Sequence, residues 1–569
     1  MLTLIKTELA NQLSSLLELP SESILERLES PKNPEHGHLA FPVFAFAKEW
    51  KKAPPVIAQE LADKIKANQP ALVAQVSPMS GFLNFTLKTQ YLMDCLKTTV
   101  LDQPENIGRS QAGAGKRVII DYSSPNVAKP MSIGHLRATV IGQAICNLAK
   151  MQGFEVVGLN HLGDWGTQFG KLAWAYQQWN QEYDFKNSPF ESLFALYVRF
   201  HEEAEKRPEL NEFGAETFKK LESGDDEITQ LWKWFVEISL KEYDRLWALL
   251  GVKHDLVRGE SFYNDRLKPT EKLLEDKGLL VESDGAMVVP MDDPKMPPCL
   301  IRKSDGASLY ATRDIASAIY RMEELKSDIG LYVVGVDQTL HFKQVFEVLS
   351  KMGYAWAKDC HHISFGMYQF KNMGRMSSRK GQIIEFEDVV QKAIELVKEI
   401  IQEKNPELKS KDKIAEQVGV GAIIFNDLMN DRIKNVEFDW DKVLDFEGNS
   451  GPYVQYCNVR CKSLLRKSGY KQWPKTFQNE LKSPEAIQLL WILLSYDDVL
   501  KNGYKIFKPH IIAMYLLDVC RQFSTFYAKN KILNENDMVQ SDLMTLVGAT
   551  SLILESALGV LNISAPNEM

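Results

Sequence analysis

RVIIDYSSPNVAKPMSIGHLRATVIGQAICNLAKMQG, residues 117–153, decides the fold. It opens with Val118, Ile119 and Ile120 between Arg117 and Asp121, the composition of a strand buried on both faces. SSPNVAKP follows as a loop, and from Ser132 apolar residues recur at helical spacing until Gly153 closes the helix. The same alternation returns along the chain. EVVGLNHL (155–162), LYVVGV (331–336) and HHISFGM (361–367) read as strands, and TLHFKQVFEVLSKMG (339–353) reads as the helix between the last two. Strands alternating with helices imply an α/β domain with a mostly parallel, Rossmann-like sheet and right-handed crossovers.

Outward from this core, a mainly helical, acidic stretch containing WAYQQWNQEYDF (174–185) reads as an insertion into the sheet domain, over about residues 175–290. From about residue 410 almost everything reads as helix, an all-α bundle. Ahead of the sheet lies a smaller α/β unit. Its parts are a helix to about Glu29, a proline-rich turn region, a second helix, and PMSGFLNFTL (78–87), which alternates like one short strand.

A chain of 569 residues is too long for one core and predicts three to four domains. Its 45% hydrophobic and 25% charged content excludes a disordered or fibrous chain. No apolar run reads as approaching the ~20 residues of a membrane-spanning helix, and the first twenty residues read as an amphipathic helix rather than a signal peptide. Seven cysteines without a CxxC pair are the usage of a reducing compartment, so a cytoplasmic protein is expected. Cys457 and Cys461 share a helix face and read as packed thiols, and no metal site is expected. The formal charge of −8 argues against nonspecific coating of nucleic acid. Residues 452–569, however, carry 13 Lys+Arg against 10 Asp+Glu, and a mildly basic helical tail is open to reading as an RNA-docking surface.

In a parallel sheet, ligands sit at the carboxyl ends of the strands. There the first strand gives Asp121, Ser123 and Asn126, and the next helix opens with Ser132, Ile133, Gly134 and His135. A helix N-terminus offers unpaired N–H groups to phosphate. Ser132 and His135 share one face of its first turn, and Gly134 lets a ligand approach the backbone. On these residues alone, an N-capping serine beside a satisfied histidine is an equal reading. GAGKR (113–117) lacks the glycine spacing of a phosphate loop and is rejected. GRMSSRKG (374–381) places three cations and two hydroxyls between glycines, which suits a polyphosphate clamp; an isolated basic turn is the competing reading.

These two segments carry a resemblance to class I aminoacyl-tRNA synthetases, Ser132–His135 matching the "HIGH" signature and Arg375–Arg379 the "KMSKS" signature. The order DYSSPNVAKPMSIGHLRATVIG, NHLGDWGTQFGKL, SLYATRDIASAIYR, VGVDQTLHFKQVF, MSSRKG resembles that of arginyl-tRNA synthetases over nearly the whole chain. Ser132 stands where many members carry His, Arg379 where the general class has Lys, and Glu568 where the family usually has a basic residue.

The resemblance implies an N-terminal added tRNA-binding domain (1–112), a catalytic domain (113–405) and a helical anticodon-binding domain (406–569). It implies ATP binding by Ser132, Ile133, Gly134, His135, Met376, Ser377, Ser378, Arg379 and Lys380, with catalysis carried by Ser132, Gly134, His135, Arg379 and Lys380. L-arginine would be held by Asp121, Ser123, Asn126, His135, Tyr310, Asp314 and Gln338. For tRNA(Arg) it implies Phe82 and Asn84 at the elbow, and Tyr453, Gln455, Tyr456, Tyr527 and Met569 on the anticodon side. Mg2+ would arrive with ATP, adenylate would form only with tRNA bound, transfer would go to the 2′-hydroxyl, and the protein would be a monomer without an editing domain.

A guanidinium asks for carboxylates and an aromatic face. Tyr310 and Asp314 are helix neighbours, so Asp121 and Asp314 are expected to meet around one guanidinium. A synthetase for another amino acid and a catalytically silent tRNA-binding relative are the rival readings. Intact Gly134, His135, Asp314 and Ser377 stand against the second.

Overall fold

Five parallel strands build the central sheet: β1 (Arg117–Asp121), β2 (Glu155–Asn160), β3 (Leu256–Val257), β4 (Ile329–Tyr332) and β5 (Cys360–His362), in the order β5-β4-β1-β2-β3. The order reverses between β1 and β4, where Asp121 pairs with Tyr332, and that crevice is where such sheets take ligands. The computed structural model describes all of residues 1–569 except 32, 304–309, 370–383, 471–472, 476, 478–479 and 534–536, and not the side chains of 34 and 537–540.

Helix α1 (Ile133–Met151) crosses from β1 to β2 and is buried along most of its length, with Leu136, Val140, Ile141, Ile145 and Leu148 in the core. Each such side chain contributes about 1.5–3 kcal/mol when fully buried. Gly153, at φ 84°, ends the connection as the sequence predicts. Between β2 and β3 the insertion is four helices, Thr167–Trp179, Pro189–Lys206, Leu210–Glu222 and Asp226–Leu249. The region read as mainly helical also contains β3 and, beyond it, strands Val281–Ser283 and Ala286–Val289, which form a small antiparallel sheet with Cys299–Arg302. Strands of two to four residues are too short to show a period. Helices α2 (Tyr310–Ile319) and α3 (Thr339–Lys351) flank β4.

PMSGFLNFTL is a hairpin rather than one strand. Val73–Met79 and Phe82–Leu87 pair antiparallel, and Ser80 and Gly81, at φ 51° and 88°, turn the chain in two residues. The bundle ends in helix Asp537–Val560, whose segment Ser541–Val560 is apolar and long enough to cross a bilayer, which corrects the expectation of no such run. In the fold 78% of that segment is buried, so its apolar surface is used in packing.

The N-terminal domain docks on the bundle. Thr3 Oγ donates to Asp498 at 2.9 Å, Lys6 pairs with the same carboxylate at 3.2 Å, and the Leu481 N–H donates to Thr89 Oγ at 3.1 Å. The rings of His38 and Trp491 lie 4.9 Å apart.

Candidate active site

Asp121 ends β1 and is followed by two serines in the left-handed region, Ser123 at φ 73° and Ser124 at φ 41°. That conformation is costly for non-glycine residues and persists only where surroundings impose it. Here Ser123 Oγ accepts from Trp247 Nε1 at 2.9 Å and sits 2.7 Å from Thr139 Oγ, so it faces the packing between α1 and the insertion. Ser124 faces the crevice instead. Its Oγ donates to Asp121 Oδ1 at 2.9 Å and accepts from the His161 N–H at 3.2 Å.

The other oxygen of Asp121, Oδ2, lies 2.9 Å from Nη2 of Arg321, and both side chains are almost wholly buried. Arg321 sits in a π-helical turn, Tyr320–Glu324, with its guanidinium 5.0 Å from the ring centre of Tyr332. Such turns are frequent at functional sites. Burial alone would lower the Arg321 pKa; Asp121, then Tyr263, Tyr332 and Asp314, hold it above its ordinary value.

Asp314 on α2 meets His341 on α3, Oδ2 to Nε2 at 2.5 Å. Asp121 and Asp314 both act on Arg321, Tyr332 and His161, so the two segments do converge. Asp121, however, is already engaged by a guanidinium of the chain itself. His161 donates from Nδ1 to the Arg258 carbonyl at 3.1 Å, and burial, opposed by Asp121, lowers its pKa.

Sequence reading missed a third carboxylate. Glu260 begins a 3-10 turn, Glu260–Tyr263, just past the carboxyl end of β3. Its neighbours include Arg313, with Nη1 at 3.7 Å, and the like charges of Asp164 and Asp314. Burial above all, partly offset by Arg313, pushes its carboxyl up to about 7. Its one sequence signal is position: Gly259–Glu260–Ser261 follows a strand at the sheet's ligand edge.

Tyr310 opens α2 and is 68% exposed. Gln338 ends a short 3-10 turn after β4, also exposed. Asn126 is exposed too; its backbone bridges to Gly163, where a Cβ would come within 2.1 Å of Asn126 Oδ1. Any larger residue at 163 would displace the Asn126 side chain from where it now sits.

At the first signature, Ser132 caps α1 and forms a reciprocal capping box with His135. His135 Nδ1 accepts from the Ser132 N–H at 3.0 Å, so the proton of the neutral ring belongs on Nε2. Burial, then the charge of Lys129, lowers this histidine to about 4. Ile133 is buried, while a Cβ on Gly134 would meet only Ser132 Oγ, at 3.5 Å, leaving its outer face clear. Met376, Ser377, Ser378, Arg379 and Lys380 lie outside the described residues. Their flanks are anchored to the first signature's helix: Arg137 Nη1 donates to the Gly366 carbonyl at 2.9 Å, and the Ile133 N–H donates to the Ile384 carbonyl at 3.1 Å.

Away from the sheet, Phe82 and Asn84 line a cavity of about 290 Å3 with Glu29, His36 and Met79. Phe44 packs edge-on against Phe82, ring centres 5.0 Å apart. In the bundle, Tyr453, Tyr456, Cys457 and Met569 line a cavity of about 530 Å3 with Lys404 and Arg460. Arg460 lies over the rings of both Tyr456, at 5.1 Å, and Tyr527, at 5.3 Å. Gln455 does not join them. It is fully buried, and its Nε2 donates to the Ser564 carbonyl at 2.7 Å, fixing the C-terminal segment. Cys457 and Cys461 are buried.

A parallel sheet with a capped helix opening at its switch point beside an acidic crevice has the architecture of a class I aminoacyl-tRNA synthetase. The family described as tRNA synthetases class I (R), catalytic domain, matches residues 98–440, the DALR anticodon binding domain 454–569, and the arginyl tRNA synthetase N terminal domain 3–87. Arginine–tRNA ligase 2 of Bacillus anthracis is 44% identical over 566 residues, covering 99% of this chain and 100% of that one. Arginine–tRNA ligase of Clostridioides difficile is 43% identical over 565 residues, 99% of each chain. Among solved structures, Thermus thermophilus arginyl-tRNA synthetase superposes with a TM-score of 0.82 at 25% identity, over 99% of both chains. The chain belongs to the arginyl-tRNA synthetase family and ligates arginine to tRNA(Arg) at the expense of ATP.

Proposed function

We propose that Asp314 and Glu260 clamp the guanidinium of the substrate, with Tyr310 as the aromatic wall and Asp121 behind them. The observation that carries this reading is Glu260: a largely buried carboxyl that feels the like charge of Asp314 and whose ion pair, among the described residues, is a 3.7 Å contact to Arg313. Carboxylates so placed gain most from an incoming cation. Asn126 and Gln338, which the family resemblance places in the amino-acid pocket, are exposed in the segments after β1 and β4 and are left for the α-amino and carboxylate end. Ser123 supports the pocket from behind through Trp247.

The sign of the pH dependence follows. A carboxyl pushed up to about 7 is protonated below that pH, and a guanidinium binds only its ionised form. Arginine binding therefore releases a proton and tightens as pH rises. The KM for arginine is expected to fall about tenfold from pH 6 to pH 8, and Glu260→Gln to flatten that slope. A wild-type slope in the variant would sink the clamp.

The arginine carboxylate attacks the α-phosphorus of ATP, pyrophosphate leaves, and the arginyl group passes to the 3′-terminal adenosine of tRNA with release of AMP. Such chemistry is mainly positioning and charge neutralisation. The opening turn of α1, at the clear face of Gly134, receives the nucleotide. His135, neutral at working pH, donates from Nε2 to a phosphate oxygen, and Ser132 fixes its ring. Met376 belongs to the ATP site, and Ser377, Ser378, Arg379 and Lys380 take the β- and γ-phosphates, as the family resemblance implies. Mg2+ belongs with the nucleotide, where it offsets phosphate charge. The first signature's helix N-terminus suits an anion, and the crevice carboxylates are engaged with the amino acid. His135→Ala is expected to slow arginine-dependent pyrophosphate exchange about 10²-fold while tRNA affinity stays within twofold; filter binding beside the exchange assay checks both.

The Phe82–Asn84 cavity suits an unstacked elbow base, and Tyr453, Tyr456, Tyr527 and Met569 suit the anticodon side, where Arg460 adds a stacked cation. Gln455 acts there by holding the tail. We divide the chain at 112/113 and 405/406, the second at the C-cap of helix Phe386–Lys404, and read a monomer of the cytoplasm.

A further inference from the structure

The loop after β2 and the turn after β3 are laced together at the edge of the acidic crevice. The Arg258 N–H donates to the Asn160 carbonyl at 2.9 Å and the Glu260 N–H to the Leu162 carbonyl at 3.0 Å. The lacing ends on one side chain, Asp164. Its Oδ1 accepts from the Ser261 N–H at 2.8 Å and its Oδ2 from Ser261 Oγ at 2.7 Å. On the other side, Trp232 Nε1 of the insertion donates to the Asp164 carbonyl at 2.7 Å.

Asp164 is only 6% exposed and both its oxygens are taken, so it does not meet the substrate itself. Gly259 makes the arrangement possible: a Cβ there would lie 2.3 Å from Asp164 Oδ2. The residue between Gly259 and Ser261 is Glu260. A two-point grip on its neighbour fixes the direction in which its carboxylate points, since a short 3-10 turn has few backbone bonds of its own.

We propose that Asp164 is a positioning residue for arginine recognition, acting through Ser261 to aim Glu260 into the pocket. The inference rests on the Glu260–Asp314 clamp and adds the element that sets its geometry. Trp165 packs edge-on against Trp232 at 5.6 Å, so the insertion braces the loop from outside while Asp164 holds the turn inside.

The test uses the full chain and steady-state aminoacylation. Asp164→Asn keeps the size of the side chain but removes the carboxylate charge, so the Ser261 N–H keeps only a neutral acceptor and the Ser261 hydroxyl must receive an N–H where it had donated. The KM for arginine is expected to rise about tenfold, roughly one charged hydrogen bond, with KM for ATP and for tRNA within twofold. Gly259→Ala, which forces the turn off Asp164 from the other side, should give the same split. In a Glu260→Gln background, Asp164→Asn should add less than twofold, because the group it aims is gone.

Equal rises in the arginine and ATP KM values would make Asp164 a general stabiliser and overturn the proposal. So would an undiminished effect of Asp164→Asn in the Glu260→Gln background. If Glu260→Gln alone leaves arginine KM unchanged, the clamp itself falls. If Glu260→Gln raises it and Asp164→Asn does not, only the positioning role falls.

Discussion

Asp314→Asn is expected to lower kcat/KM for arginine about 10²- to 10³-fold. The substitution is nearly isosteric, and the new side-chain oxygen can still take the place of the carboxylate oxygen that meets His341 at 2.5 Å. The fold around α2 and α3 therefore stays. On the proposed clamp, what disappears is the negative charge opposite the guanidinium, and truncating one partner of a hydrogen-bonded charge pair out of water costs about 3–4 kcal/mol. That energy corresponds to about two to three decades in rate or affinity. Aminoacylation at subsaturating arginine measures it directly. Because a neutral pocket no longer prefers a cation, discrimination between arginine and its uncharged isostere citrulline should narrow by a similar factor. A variant with wild-type kcat/KM would remove Asp314 from the pocket.

The second large effect concerns stability. Arg321→Met leaves Asp121 buried beside Tyr332 without its cation, and breaking a buried pair from one side costs about 3–5 kcal/mol. Removing both charges is a different matter, since apolar replacement of a whole buried pair is often close to neutral. The urea midpoint of the catalytic domain, followed by tryptophan fluorescence, should drop sharply in Arg321→Met and recover most of the loss in Asp121→Asn/Arg321→Met. Equal midpoints for the single and double variants would mean that the ion pair does not hold the crevice together.

The parts of this protein that repeat a pattern were legible in its sequence. The segment 117–153 folds into the strand, loop and helix that its Val/Ile run and its 3.6-residue spacing demand. Asp121, Asp314 and His135 come to one sheet edge, as strand ends and a helix start must. What stayed hidden was decided by single side chains. Glu260 sits between a two-residue strand and a 3-10 turn, where no period exists to reveal which way it faces. Arg321 lies on an otherwise amphipathic run, and a lone arginine there reads as surface; only the π-helical turn carries it inward. Ser123 and Ser124 are chemically identical neighbours, and the choice between packing and pocket was made by two left-handed backbone angles that serine seldom adopts. Gln455 shares a helix with Tyr453 and Tyr456 but falls on its inward phase.

The docking of the N-terminal domain on the bundle has a mechanical consequence. Thr3 and Lys6 reach Asp498, and Thr89 reaches the backbone at Leu481, across nearly the full length of the chain. The Phe82 cavity and the Tyr456 cavity therefore belong to one clasped frame. On the proposed reading these are the elbow and anticodon contacts, so the frame works as a caliper of fixed jaw width. On that reading the clasp sets the separation at which a folded RNA would have to present its two corners to reach both cavities.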